Sequence, residues 1–118
     1  MKAYLNIFSG RENPSWDFTA REREQFLRLL HSMPRKESDG APPGILGYNG
    51  FTLLPNRRPE EDFDEITVCD GSAIVTKKNT VARYIDHERK LEKWLLSKAE
   101  KFIDRDLYEE IKGIVDNG

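Results

Sequence analysis

Apolar and polar residues alternate from Lys2 to Phe8, with Ala3, Leu5 and Ile7 on one side and Tyr4, Asn6 and Phe8 on the other. A period of two is that of a half-buried strand, and Gly10 ends it. The period then lengthens. Phe26, Leu29, Leu30 and Met33 recur at helical spacing. Ahead of them, Thr19-Ala20-Arg21-Glu22 matches a capping box, in which the threonine oxygen accepts from the N3 amide and the glutamate reaches back to the cap amide. A helix is therefore predicted at about 20–32, stopped by Pro34.

Residues 34–44 are rich in proline and glycine and almost devoid of apolar side chains, which predicts a flexible loop within the domain. Gly47-Tyr48-Asn49-Gly50 reads as a turn and Phe51-Thr52-Leu53-Leu54 as a short strand. Glu65 to Ile85 is strand-rich, and Asp70-Gly71 within it admits two readings. A two-residue hairpin turn sets Val68 opposite Ala73 and Ile66 opposite Val75. A bulge at Gly71 instead leaves one long strand, 65–77, paired with 80–85 across Lys78-Asn79. The bulge is favoured, because the hairpin leaves a very short strand.

Asp86 can cap a second helix whose apolar stripe is Leu91, Trp94, Leu95, Ala99 and Phe102. A third helix starts at Asp104 or Asp106 and turns Leu107, Ile111 and Ile114 inward. The expected order is β-α-β-β-β-α-α. This describes a single α+β domain over residues 1–118, with three helices on a three- or four-stranded, mainly antiparallel sheet.

Composition narrows the function classes. Charged residues make up 34% of the 118 and apolar residues 37%, so a small core carries a heavily solvated surface. The net charge of −2 gives no general attraction to phosphate backbones or anionic lipid. No apolar run approaches the ~20 residues of a membrane span, and the first residues do not read as a signal peptide. A cytoplasmic location is the expectation. Cys69 is the one cysteine, which excludes an intrachain disulfide and a cysteine-based zinc site.

Candidate chemistry concentrates in Ser9-Gly10-Arg11-Glu12-Asn13-Pro14-Ser15-Trp16. Asn13-Pro14 stiffens a corner, and few solvated loops carry a tryptophan. Two readings follow. In the first, Arg11 is an anion fork assisted by Ser9 and Asn13. In the second, Trp16 packs under the sheet and the loop is structural. Tyr48 and Asn49 either form the opposite wall of a pocket or belong to an ordinary glycine turn.

His31 and His87 stand apart and make no metal pair. Cys69 lies beside Asp70, which raises a thiol pKa rather than lowering it. No nucleophile elbow, P-loop or dinucleotide fingerprint is present. The acidic run at Glu60–Glu65 reads as a solvated face. Arg57, Arg58, Lys77, Lys78 and Arg83, with Tyr84 and Tyr48 for stacking, offer a basic surface for nucleic acid, but the adjacent acids oppose it.

The strand–Ser-Gly-Arg-x-Asn-Pro-x-Trp–helix opening resembles small bacterial proteins of unknown function. Their Gly-Tyr-x-Gly-Phe and Leu-x-x-Trp-Leu-Leu segments resemble Gly47–Phe51 and Leu91–Leu96 here. The resemblance implies a shared fold and no activity.

The expectation is a non-enzymatic binding or protein-interaction domain, with Ser9, Arg11, Asn13, Trp16, Tyr48 and Asn49 as binding residues. Its partner is a protein or a small anionic ligand, and no catalytic residue, metal or cofactor is assigned. The alternatives are a small enzyme pairing Arg11 with an unnamed acid or base, and a weak nucleic-acid-associated protein.

Overall fold

The computed structural model describes residues 1–7, 12–36, 48–55, 63–78 and 80–117. Residues 37–44 of the expected flexible loop, and Ser9, Arg11, Arg57 and Arg58, lie outside them. The chain forms an α+β domain with three helices on an antiparallel sheet. The sheet has seven strands rather than three or four. They are β1 (Lys2–Leu5), β2 (Ser15–Asp17), β3 (Arg35–Lys36), β4 (Phe51–Leu54), β5 (Glu65–Cys69), β6 (Ser72–Lys77) and β7 (Thr80–Ile85). The helices are α1 (Ala20–His31), α2 (Lys90–Ala99) and α3 (Arg105–Asn117).

The spatial order is β2-β1-β4-β5-β6-β7-β3. The two strands that flank α1 in sequence thus occupy opposite edges of the sheet. Both were missed in the sequence, since three and two residues are too few to display a period of two. β3 also corrects the loop expected from residue 34 onward. The Pro34 carbonyl accepts from the Ile85 N–H at 2.8 Å, and Arg35 and Lys36 pair with Tyr84 and Arg83.

The hairpin reading of Asp70-Gly71 holds and the favoured bulge does not. Val68 faces Ala73 and Ile66 faces Val75. Asp70 and Gly71 take φ of 48° and 81°, the left-handed pair that matches the strand twist. The strand after the turn has six residues, because Lys78 (φ 52°) opens a second tight turn into β7.

Met1, Ala3, Leu5, Phe51, Leu53, Ile66, Val68 and Ala73 form one face of the sheet. They share a core with Phe26 and Leu30 of α1, Leu91, Leu95, Leu96 and Ala99 of α2, and Ile111 and Val115 of α3. The capping box closes as expected, with Thr19 Oγ1 accepting from the Glu22 N–H at 3.1 Å and Glu22 Oε1 from the Thr19 N–H at 2.9 Å. Two expected core positions are corrected. Ile114 is exposed while Val115, one position round the α3 helix, is buried beside Ile111. Phe102 lies in a short turn after α2 has ended, and its ring is half exposed.

Candidate functional site

The Asn13-Pro14 corner is anchored at three points. Asn13 Oδ1 accepts from the Ile7 N–H at 3.1 Å, the Pro14 carbonyl accepts from the Leu5 N–H at 2.9 Å, and Trp16 pairs with Ala3. The Trp16 indole is only 4% exposed. It stacks on Phe102 with ring centres 5.6 Å apart and meets Phe51 edge-on. Its Nε1–H is buried with no hydrogen-bond partner among the described residues. Trp16 is therefore a packing residue that pins the corner.

Tyr48, Asn49 and Gly50 run beside the far end of β1. The Asn49 N–H donates to the Asn6 carbonyl at 2.8 Å, and the Asn6 N–H to the Gly50 carbonyl at 2.9 Å. Asn13 and Asn49 are thus brought to the same end of β1, while Tyr48 turns inward. Gly50 sits at φ 77°, and a Cβ there would lie 2.1 Å from the Val68 carbonyl oxygen and 2.6 Å from Cys69 Cβ. No side chain fits at that close approach.

Tyr48 enters a buried polar cluster that sequence reading did not assemble. Its hydroxyl donates to Glu92 Oε2. The same carboxylate accepts from Arg89 Nη2 at 2.8 Å, while Oε1 accepts from Arg89 Nε at 2.9 Å and the Asp70 N–H at 3.0 Å. Arg89 Nη1 reaches the Ile114 carbonyl at 3.3 Å and lies 3.8 Å from Asp70 Oδ1. One fully buried carboxylate therefore ties together the Tyr48 segment, the β5–β6 turn, α2 and, through Arg89, the last turn of α3.

The backbone pays for this arrangement locally. Glu88 and Arg89 both take left-handed φ, 57° and 56°, conformations that side chains rarely favour. The double left-handed step turns the Arg89 fork back under α2. Asp86 fixes the entry: its Oδ1 accepts from the Leu91 N–H at 2.8 Å and its Oδ2 from the Glu92 N–H at 3.1 Å. This is the expected cap, displaced by the extra turn at His87–Arg89.

The electrostatics follow from burial and pairing. Burial first, then the charge of Glu92, pushes the Tyr48 phenol far above its ordinary range, so it remains a donor. The Arg89 guanidinium is held charged, chiefly by its hydrogen bonds to Glu92. Burial raises Asp86 against the lowering effect of its two amide donors. The half-buried Cys69 thiol is pushed up to about 11, first by burial and then by Glu92. A thiol raised this way is a poor nucleophile.

The cluster left one trace in the sequence. Glu92 shares the α2 stripe with Leu95, Leu96 and Ala99, at steps of three, four and seven. A carboxylate in an apolar stripe demands a buried partner, and Arg89 stands three residues before it. Both histidines are exposed. Among the described residues no group of three or more His, Cys, Asp or Glu could hold a metal ion, and no helix is long and apolar enough to cross a membrane. Arg83 donates to Ser72 Oγ from both Nε, at 3.1 Å, and Nη2, at 2.8 Å.

A cavity of 180 Å³ opens where the end of α1 meets the start of the His87–Arg89 turn. Leu29, Met33, Pro34 and Ile85 give it apolar walls, and Ser32, Asp86, His87 and Lys90 its polar lining.

No family model, curated protein or solved structure matches this chain.

Proposed function

We propose that this protein is a binding module that takes a small anion or a partner's acidic group through the 9–16 corner, with Arg11 as the guanidinium fork. The observation that carries this reading is the threefold anchoring of the corner by Asn13, Pro14 and Trp16. An anchored base lowers the ordering cost of binding for the residues it presents. Trp16 and Tyr48 then serve recognition indirectly, from the core. Binding rather than turnover is supported by how the reactive groups are engaged. Glu92 is committed to four donors, Tyr48 to Glu92, and Cys69 is held as a thiol.

The test is thermal unfolding with inorganic phosphate and citrate as probes, in wild type and Arg11→Lys. Lysine keeps the charge and loses the planar fork. The reading expects an anion-dependent rise in Tm in wild type that Arg11→Lys loses, with the Tm in plain buffer unchanged. Equal rises in both proteins would refute it. A fall in Tm for Arg11→Lys without any anion would make Arg11 a structural ion-pair member instead.

A further inference from the structure

The cavity at the end of α1 lies beside a basic stretch of chain. Residues 28–36 include Arg28, His31, Arg35 and Lys36 and no Asp or Glu, with Glu37 and Asp39 following in the sequence. Arg28, His31, Arg35 and Lys36 are all exposed. On the facing side, His87 and Lys90 are exposed on the cavity lining. The nearby acids are largely spoken for: Asp86 is buried and caps α2, and Glu92 is buried against Arg89. Asp86 lines the cavity itself, and among the described residues beside it Glu88 is an exposed acid. The apolar walls are built by half-buried Leu29, Met33 and Ile85, which α1 and β7 leave incompletely covered.

We propose that this cavity is a docking site for an acidic peptide segment that inserts one aliphatic side chain. A volume of 180 Å³ is below the range of about 300–1,000 Å³ typical of small-molecule sites, and suits a single side chain. The apolar walls desolvate that side chain, and the surrounding cations meet the carboxylates beside it. Long-range attraction speeds the encounter, and the inserted side chain supplies the selectivity. The surface is separate from the 9–16 corner, because β2 and β3 lie on opposite edges of the sheet. Failure at one leaves the other standing.

The experiment is fluorescence anisotropy with a labelled peptide carrying a central leucine between runs of aspartate. Binding is expected to weaken with added salt. Replacing the leucine by serine is expected to weaken it about 10–100-fold, the loss of one buried aliphatic side chain. Met33→Glu, which puts a carboxylate in the wall, and Lys90→Glu, which reverses a lining charge, should each weaken it at least about tenfold. Circular dichroism and Tm verify that both variants fold, and a second wall variant, Leu29→Ser, replaces any that does not. Equal affinity for the leucine and serine peptides reduces the site to charge attraction and overturns the proposal. So does absence of binding, or binding indifferent to both variants. Sedimentation showing a dimer that Met33→Glu dissolves assigns the cavity to a second copy of the chain and overturns it as well.

Discussion

Replacing Glu92 by alanine tests the central structural claim, that one carboxylate holds four segments together. The substitution withdraws the acceptor from Tyr48 Oη, the Asp70 N–H, and Nε and Nη2 of Arg89. The Arg89 side chain is only 9% exposed and loses its close counter-charge. Breaking a buried pair by removing one partner costs about 3–5 kcal/mol. The stranded Tyr48 hydroxyl adds roughly 1–3 kcal/mol. Two effects pull the other way. Asp70 stays 3.8 Å from Arg89 Nη1 as a second counter-charge, and its 84% exposed side chain keeps that end of the cluster near solvent. The expected loss is therefore about 3–5 kcal/mol, a fifth or more of the roughly 5–15 kcal/mol that stabilises a domain of this kind.

Tyr48→Phe removes one donor and leaves the carboxylate with three, so about 1.5 kcal/mol is expected. In the Glu92→Ala background the same change should cost far less, because its partner has gone. Urea denaturation followed by tryptophan fluorescence and circular dichroism measures all four corners of this cycle. A loss below about 1 kcal/mol for Glu92→Ala at unchanged m, or additivity within about 0.5 kcal/mol, would refute the bracket.

Trp16→Ala should cost about 3–5 kcal/mol in the same assay, as other large buried aromatics do, and a loss under about 1 kcal/mol would contradict its role as the corner's pin. The glycines should split: Gly50→Ala destabilises by about 2–4 kcal/mol through left-handed strain and collision with Val68, whereas Gly113→Ala, with open space round its Cβ in α3, stabilises by about 0.5–1 kcal/mol. Both would be read as shifts in the urea midpoint. Because folding raises the Cys69 pKa from 9.0 to about 11, the protonated thiol is the form that favours the native state. Its contribution is whole below pH 9 and lost between pH 9 and 11, so stability should fall less over that window in Cys69→Ala than in wild type; parallel curves would exclude it.

What was legible in the sequence was local. The capping box, the α1 stripe, the Asp86 cap and the alternation of β1 each need only a few consecutive residues, and each is present. The stiff Asn13-Pro14 corner was legible for the same reason. β2 and β3 were not, because their pairing partners make them strands and their own sequences show no period. The Glu92 cluster was hidden because Tyr48 and Asp70 reach it from 44 and 22 residues away. On α3, Leu107 and Ile111 face the core as expected and Ile114 does not, since Tyr108, Ile111 and Val115 form as regular a stripe as Leu107, Ile111 and Ile114, and packing buries Val115 in its place.

The placement of β2 and β3 has a consequence for how this molecule fails. A sheet of seven strands is about 29 Å wide, six spacings of about 4.8 Å, while the 12 residues of α1 extend about 18 Å. Helix and short connectors together form a girdle drawn from one rim of the sheet to the other. Both rims take their edge strand from the same piece of chain, β2 pairing with three of the four residues of β1 and β3 with two of the six of β7. Damage to the Thr19 cap or to Phe26 is expected to loosen both edge strands, baring β1 on one rim and the Arg83–Tyr84 stretch of β7 on the other. Two bare edges on one sheet allow head-to-tail growth of a fibre, where one would stop at a dimer.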